Sequence, residues 1–105
     1  MKLVFISGPY RAKTEYLRQL NIDEARKHSI HLWQMGFACI CPHMNTANFD
    51  GLAPDEVWLE GDIEMLRRCD MIYLLPNWEQ SEGTRAEWAE AQRLGIPRLE
   101  IDDFE

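Results

Sequence analysis

The amino-acid sequence predicts an α/β fold in which helices cover both faces of a parallel sheet. Short apolar runs alternate along the chain with longer helical stretches. These runs lack the polar alternation of half-exposed strands, so they are typical of strands that are buried on both faces. With 105 residues, 46% of them hydrophobic, residues 1–105 are predicted to form one domain with a single core, without metal or disulfides.

Residues 2–7 form the first predicted strand, an apolar run that a Gly-Pro pair terminates. A helix is predicted over residues 14–35 and is ended by Gly36. A break or restart is expected at Asn21, because an acidic residue follows three positions later, as in an N-terminal cap. The apolar positions of this helix include Leu17, Leu20, Ala25, Ile30 and Leu32.

Residues 37–41 form the second predicted strand, and the chain leaves it through Pro42. Residues 47–53 are polar and contain Gly, so they are predicted to be a loop. Pro54 fits the first turn of a third helical segment, which ends near Arg68. The positions of this segment that are expected to face the core are Val57, Ile63 and Leu66.

Residues 71–75 form the third predicted strand, and a polar loop over residues 77–83 follows it. A helix is then predicted to open at Thr84 and to end at a Gly-Ile-Pro run. Residues 98–101 are predicted to form a last strand, and the acidic tail 102–105 is expected to fray. The helix positions that are expected to face the sheet are Ala86, Ala89 and Leu94.

The order of these elements predicts how they are arranged in space. Right-handed crossovers and one reversal of winding give a four-stranded sheet with the order 2-1-3-4, as in three-layer Rossmann-like and flavodoxin-like folds. The ligand crevice then lies between the first and third strands, where the loops 8–11 and 76–87 are side by side. A Ser- and Gly-rich loop before a helix N-terminus offers N–H groups and the helix dipole to an anion.

The charge balance limits the partners. A net charge of -7 argues against binding to nucleic-acid polymers or membrane surfaces, and no apolar run approaches the about 20 residues that span a bilayer. Three cysteines and the lack of a leading signal segment predict a cytoplasmic protein. No Walker-type or complete Gly-x-Gly-x-x-Gly pattern is present, which disfavours a kinase or a dinucleotide enzyme.

Two carboxylates are candidates for chemistry. Glu87 lies three residues after Thr84, a spacing that also fits a capping box, in which both side chains only satisfy backbone N–H groups. Asp62 lies in the helical segment that leads into the central strand, so it could approach Glu87. Two adjacent carboxylates can act on a glycosidic bond. The structural alternative for Asp62 is a solvated helix face.

Candidate ligand-binding groups also occur at five further positions. Arg11 follows the first loop, where a guanidinium group suits a phosphate, although it could equally be a surface arginine. Cys39, Cys41 and His43 alternate along the second strand and could suggest zinc, but a fourth ligand is missing and buried packing is the more ordinary role. His43 and Asn45 are candidates to contact a base edge.

The sequence also resembles a known superfamily. The resemblance lies in residues 5–11 (Phe-Ile-Ser-Gly-Pro-Tyr-Arg), 61–63 (Gly-Asp-Ile), 69–71 (Cys-Asp-Met), 81–87 (Ser-Glu-Gly-Thr-Arg-Ala-Glu) and 95–97 (Gly-Ile-Pro). Together these residues resemble the nucleoside 2-deoxyribosyltransferase superfamily along nearly the whole chain. The pattern looks closest to a small branch common in phages and bacteria, and it is similar to the 2′-deoxynucleoside 5′-phosphate N-hydrolases.

The resemblance implies a function and roles for the two carboxylates. It implies that Glu87 is the nucleophile that attacks C1′ of the sugar and that Asp62 assists it. In this superfamily the transferases carry an acidic residue six positions before the nucleophile, whereas the monophosphate hydrolases carry a serine, and here that residue is Ser81. A hydroxyl group accepts a phosphate where a carboxylate would repel it.

The resemblance therefore implies hydrolysis of the N-glycosidic bond of a (2′-deoxy)nucleoside 5′-monophosphate by a homodimer or larger homo-oligomer, with no cofactor and no metal. Base exchange between nucleosides, a non-catalytic nucleotide-binding or sensing module and a purely structural domain remain open as alternatives. The residues that are expected to bind the substrate are Gly8, Tyr10, Arg11, His43, Asn45, Ser81, Gly83 and Thr84.

Overall fold

Three parallel strands form the centre of the protein in a computed structural model that describes residues 1–101. The strand β1 (Leu3–Ser7) lies in the middle, with β2 (Ala38–Ile40) on one side and β3 (Met71–Leu74) on the other. Each strand lies within one residue of its predicted bounds. The observed order, β2-β1-β3, confirms the first three positions of the predicted topology.

The predicted fourth strand is wrong. Arg98 forms only an isolated parallel bridge to Ile72 of β3. Hydrogen bonds join Ile72 N to Pro97 O at 3.0 Å and Leu99 N to Ile72 O at 2.8 Å. Pro97 has no N–H group, so it cannot extend this ladder backward. The segment thus lies beside β3, where the fourth strand was predicted, without forming one. The predicted fraying of residues 102–105 lies outside the described residues.

Within residues 1–101 the sheet is accompanied by four helices and one short 3-10 turn. None of the helices within residues 1–101 combines the length and the apolar character that crossing a bilayer requires. The elements are α1 (Glu15–Gln34), α2 (Pro42–Asn45), α3 (Asp55–Leu66), the turn Trp78–Gln80 and α4 (Glu82–Leu94).

The predicted break in the first helix is wrong, because α1 continues through Asn21. The Asn21 side chain does not cap a new helix start. Its Nδ2 donates to the carbonyl of Tyr10 at 3.1 Å, so this residue ties α1 to the loop after β1. The residue that caps α1 is Thr14, whose side chain accepts a hydrogen bond from the backbone N–H of Leu17.

The helices cover both faces of the sheet, as the apolar strands predicted. Val4 of β1 points to one face and packs in a cluster with Leu32 of α1. Phe5 points to the other face and packs with Leu66 of α3 and Ala91 of α4. Because successive strand residues face opposite sides, β1 contributes to both clusters.

The inward faces of the helices differ from those expected from apolar residues alone. The buried residues of α1 include His28 and Ser29, two polar positions that an apolar pattern does not reveal. In α4 the buried residues are Thr84 and Ala91. Several apolar residues that the sequence analysis assigned to the core, to the sheet or to the apolar pattern of α1 are exposed instead. They are Leu17, Leu20, Ile30, Val57, Ala86, Ala89 and Leu94.

Gly8 allows the ends of β1 and β3 to meet. A Cβ atom on residue 8 would lie 2.5 Å from Cβ of Leu75, which is closer than two carbon atoms can approach without displacement. Just before this point, Leu75 N donates to Ser7 O at 2.8 Å. The absence of a side chain at Gly8 is therefore what lets the two loops of the predicted crevice leave the sheet side by side.

Candidate active site

Glu87 contacts the end of the central strand. It lies in the second turn of α4, on the helix face that also carries Thr84 and Ala91. The hydroxyl of Ser7, the last residue of β1, donates a hydrogen bond to Oε1 of Glu87. The carboxylate therefore reaches across to the sheet instead of folding back onto the first turn of its own helix.

The start of α4 explains why the capping box is not formed. The helix begins at Glu82, two residues before the predicted start, and Ser81 is its N-cap. The hydroxyl of Ser81 accepts a hydrogen bond from the N–H of Thr84 at 3.2 Å. Thr84 itself is buried, and its Oγ1 has no hydrogen-bond partner among the described residues. Because Ser81 takes the capping role, the structural alternative for Glu87 is removed.

Asp62 approaches the same region from α3. It is partly buried and lines a cleft of about 350 Å³ between α2 and α3. Asn45, Trp58 and Gly61 also line this cleft. Asp62 is close enough to Glu87 for its charge to raise the pKa of that carboxyl group. The charge of Asp62 therefore acts on the carboxyl group of Glu87.

Burial moves the pKa values of both carboxyl groups toward neutral pH. Loss of hydration raises the pKa of Glu87 to about 7, with the Ser7 hydrogen bond opposing the rise and the charge of Asp62 adding to it. Burial alone raises the pKa of Asp62 to about 6. Near neutral pH the pair can carry one negative charge and one proton, and the higher pKa of Glu87 places that proton on Glu87 more often than on Asp62 in the chain without ligand.

His43 is buried against the loop that follows β1 and forms a hydrogen bond with it. It is only 5% exposed, and its Nε2 lies 2.7 Å from the carbonyl oxygen of Pro9. Burial lowers the pKa of His43, so the neutral ring donates from Nε2 to Pro9. The other nitrogen, Nδ1, is buried without a partner among the described residues. The ring also meets the edge of Tyr10, with the ring centroids 5.7 Å apart.

Tyr10 is held by the segment that precedes α3, and Arg11 is held by the first residue of α3. The hydroxyl of Tyr10 donates to Oδ1 of Asp50 at 3.0 Å and accepts from the N–H of Asn48 at 3.0 Å. The guanidinium group of Arg11 pairs with Oδ2 of Asp55 at 2.7 Å. Both side chains lie beside the end of β1 as predicted, but the structure shows them engaged with acidic residues of this chain.

Arg11 also lines a second cleft, of about 370 Å³, between the loop after β1 and the 3-10 turn. Asn77 and Gln80 line the opposite wall, and Asn77 adopts the left-handed conformation, with φ of 64°. Gly83 lies on the exposed first turn of α4, with open space where a side chain would be. Polar groups from both predicted loops therefore border open space at this edge of the sheet.

Residues 2–99 match the model of a protein family described as a domain of unknown function, DUF4406. The chain belongs to the DUF4406 family. A comparison with curated proteins found no match.

Among solved structures, the DUF4406 chain is similar to a 2-deoxyribosyltransferase from the psychrotolerant bacterium Bacillus psychrosaccharolyticus. The TM-score is 0.64 at 16% sequence identity, and the match covers 96% of this chain and 77% of that chain. This similarity confirms the nucleoside 2-deoxyribosyltransferase-like fold that the sequence resemblance implied.

The sequence analysis did not select Ser7, which the structure places against the candidate residue Glu87. The alternation of side chains along a strand could have indicated it. Phe5 and Ser7 are two positions apart and so point to the same face of the sheet, and the face that packs against α3 and α4 therefore ends in a hydroxyl group. A polar side chain at the carboxyl end of a central parallel strand faces the ligand crevice. That position, more than the residue type, could have identified Ser7.

The structure does not bring Cys39, Cys41 and His43 together as a metal site. Cys39 and Cys41 belong to the cluster that packs against α1, whereas His43 lies in α2 beside Pro9. Within residues 1–101, no group of three or more His, Cys, Asp and Glu side chains is placed to hold a metal ion. Asn45 is exposed and lines the cleft of Asp62, with its Nδ2 4.0 Å from Sδ of Met65.

Proposed function

We propose that this DUF4406 chain hydrolyses the N-glycosidic bond of a (2′-deoxy)nucleoside 5′-monophosphate, giving free base and (deoxy)ribose 5-phosphate. The observation that carries the proposal is the contact of Glu87 with Ser7 at the carboxyl end of β1, with Asp62 of α3 near enough for its charge to raise the pKa of Glu87. The fold is similar to that of a 2-deoxyribosyltransferase studied for the synthesis of nucleosides, which supports a nucleoside as part of the substrate.

The reaction uses the two carboxyl groups in opposite states. In the form of the pair in which Glu87 is ionised and Asp62 holds the proton, the carboxylate of Glu87 forms a bond to C1′ while the bond from C1′ to the base nitrogen breaks. Because the pKa of Glu87 is the higher of the two, this form is the less populated one, and a proton moves from Glu87 to Asp62 before the attack. The electron pair of the broken bond stays on the base, which takes a proton from Asp62. A water molecule then attacks C1′ and gives a proton to Asp62, and the carboxylate of Glu87 leaves. Both residues are returned to their starting states.

Ser7 prepares Glu87 for the attack. Its hydroxyl donates to Oε1, which fixes the rotamer of the carboxylate and leaves Oε2 for the reacting carbon. The same bond stabilises the ionised form and therefore opposes the effect of burial on the pKa of Glu87. Ser7 acts through Glu87, so it is a positioning residue.

The phosphate group would be held at the N-terminus of α4. Ser81 and Gly83 border the first turn of this helix, where backbone N–H groups and the helix dipole favour an anion. The buried hydroxyl of Thr84 has no partner among the described residues, so it is available to a ligand that enters this turn. Arg11 supplies the positive charge on the facing loop.

The sugar and base would lie along the remaining predicted contacts. Gly8 and Tyr10 border the crevice at the end of β1, while Asn45 lines the cleft that Asp62 also lines. His43 lies beneath this loop and holds Pro9. The proposal includes a cytoplasmic location and assembly as a homodimer or larger homo-oligomer, which the sequence resemblance supports.

Base exchange is the second candidate function, and the similarity to a transferase favours it. In base exchange a second base, instead of water, attacks C1′ of the glycosyl intermediate. Ser81 favours hydrolysis of a monophosphate, because a carboxylate six residues before Glu87 would repel the phosphate. Adding a second, isotopically labelled base separates the two reactions: hydrolysis leaves the label free, whereas exchange incorporates it into nucleoside or nucleotide.

The test is to incubate the protein with a panel of ribo- and deoxyribonucleoside 5′-monophosphates and the corresponding nucleosides, and to measure free base by chromatography. We expect base release from at least one monophosphate. Because Glu87→Gln removes the nucleophile while keeping the shape of the side chain, this variant should lose at least about 100-fold of that rate. Glu60→Gln, an exposed position on α3, is the matched control and should retain the rate.

Two results would contradict the proposed reaction. Base release that persists in Glu87→Gln would remove the assigned nucleophile. Nucleotide binding with no base release, and with an affinity that Glu87→Ala leaves unchanged, would instead identify a non-catalytic binding module.

A further inference from the structure

We propose that Asp55 limits the preference of the site for phosphorylated over unphosphorylated ligands, by pairing with the guanidinium group of Arg11 until a phosphate displaces it. This inference rests on the proposed function and deepens it, because it names a residue that limits the affinity for the phosphorylated ligand class. Arg11 Nη2 lies 2.7 Å from Oδ2 of Asp55. The side chain that should meet a phosphate is therefore already paired with a carboxylate of the same chain.

The position of Asp55 makes it a persistent competitor. It is the first residue of α3 and lies in the acidic first turn of that helix, where the dipole favours a negative charge. Tyr10, the neighbour of Arg11, is bonded to Asn48 and Asp50 of the preceding segment. These two bonds tie the loop after β1 to the chain just before α3, so Asp55 stays within reach of Arg11.

The exchange with a phosphate is feasible because the ion pair is exposed. The side chains of Arg11 and Asp55 are 69% and 53% exposed, and pairs in water are weak because solvent screens them. A phosphate monoester carries about two negative charges near neutral pH against one for a carboxylate, and it can accept two hydrogen bonds from a guanidinium group, whereas Asp55 accepts one through Oδ2. The phosphate therefore replaces Asp55, and a neutral nucleoside does not.

The Arg11–Asp55 pair therefore lowers the affinity for monophosphates and leaves the affinity for nucleosides unchanged. A ligand with a 5′-phosphate must displace Asp55 from Arg11, and the carboxylate of Asp55 repels the phosphate. A ligand without a phosphate binds with the Arg11–Asp55 pair intact, so its affinity is independent of the pair. Removing the charge of Asp55 should therefore strengthen binding of monophosphates alone.

The experiment measures dissociation constants by calorimetry in the full chain carrying Glu87→Gln, so that no ligand is consumed. The probes are the four 2′-deoxynucleoside 5′-monophosphates and the four matching nucleosides. Asp55→Asn should tighten monophosphate binding about fivefold, as expected from losing one exposed ion pair, and leave nucleoside binding unchanged. Glu56→Gln is the matched control, because it removes the same charge from the next residue without breaking the Arg11–Asp55 pair.

A double-mutant cycle assigns the effect to Arg11. In a chain that also carries Arg11→Gln, Asp55→Asn should no longer tighten monophosphate binding. The proposal is overturned if Asp55→Asn weakens monophosphate binding, since Asp55 would then orient Arg11 for the phosphate. It is also overturned if Glu56→Gln gives the same gain, or if the gain persists without Arg11.

Failure of the proposed reaction gives a different result. Base release is measured separately on the chain with Glu87 intact. If monophosphates bind but no base is released, the reaction is wrong and the comparison of Asp55→Asn with its control still decides the present inference. If none of the monophosphates binds to any variant, the inference itself is overturned.

Discussion

Glu87 shows how one hydrogen bond can separate a structural role from a chemical one. The spacing of Thr84 and Glu87 fits both a capping box and a catalytic carboxylate, and the sequence alone leaves both open. The bond from Ser7 to Glu87 and the cap provided by Ser81 remove the first possibility. The carboxylate is thereby left in a partly buried position where ionisation is costly, as reactive carboxyl groups often are.

Ser7→Ala should raise the pKa of Glu87 above its value of about 7. The hydrogen bond from Ser7 stabilises the ionised carboxylate, so its loss favours the protonated form. A bond to a charged group corresponds to a shift of about one pKa unit. The pKa is measured by NMR titration of the Glu87 carboxyl carbon, and the pH profile of base release should move upward with it.

The control for this titration is Ser29→Ala. Ser29 is as deeply buried as Ser7, at 2% against 1% exposed, but it lies on α1, which packs against the opposite face of the sheet. Ser29→Ala should leave the pKa of Glu87 unchanged. An unchanged pKa of Glu87 in Ser7→Ala would show that the serine does not support the charge.

The first turn of α4 combines a structural and a functional requirement in one residue. Ser81 caps the helix through its hydroxyl group, and under the proposed function the same residue borders the phosphate. Serine, threonine, aspartate and asparagine all cap helices well. The two requirements can therefore be separated by exchanging one capping residue for another.

Ser81→Ala should destabilise the protein by about 1 kcal/mol, because the N–H of Thr84 loses its partner. Ser81→Asp should keep the stability within a few tenths of a kcal/mol, since aspartate caps equally well. It should nevertheless weaken monophosphate binding more than tenfold, because its carboxylate repels the phosphate. Urea unfolding measures the stability and calorimetry the binding.

Nucleoside binding provides the internal control for Ser81→Asp, because a ligand without a phosphate is not repelled. An equal loss for nucleosides and monophosphates would indicate distortion of the turn. Monophosphate binding at full strength would remove Ser81 from the phosphate site.

For the molecule as a whole, the buried pair of carboxyl groups opposes stability at neutral pH. The pKa of Glu87 is raised from its usual 4.5 to about 7 on folding. A carboxyl group with a raised pKa favours folding most below its unfolded pKa, and this contribution is lost as the pH rises to the folded value. The folded protein should therefore lose stability between about pH 4.5 and pH 7.

Glu87→Gln should remove this loss. The pKa shift corresponds to up to about 3 kcal/mol of unfolding free energy. As the pH rises from 4.5 to 7, the unfolding free energy of the variant should therefore increase relative to that of the unsubstituted protein by up to this amount. Thermal unfolding across this range measures the difference. Glu60→Gln, which replaces an exposed carboxylate, should show the same dependence of stability on pH as the unsubstituted protein. A constant difference for Glu87→Gln would show that burial does not perturb the group.

The strands and the order of the sheet were predictable from local pattern. Each apolar run is bounded by residues that stop a strand, and right-handed crossovers leave few ways to arrange three parallel strands. This arrangement already placed the loops after β1 and β3 together. The prediction of a fourth strand failed because a strand requires a ladder of bonds, and Pro97 and a single bridge at Arg98 do not extend into one.

The site depended on contacts between distant parts of the chain. Glu87 and Asp62 could be named from their motif, but the meeting of Ser7 with Glu87 joins residues 80 positions apart. The pairs of Tyr10 with Asp50 and Arg11 with Asp55 are likewise separated by 40 and 44 positions. Backbone pattern reports which residues lie at the edge of the sheet. Which side chains there share a hydrogen bond or a charge depends on packing, and neither periodicity nor spacing encodes that.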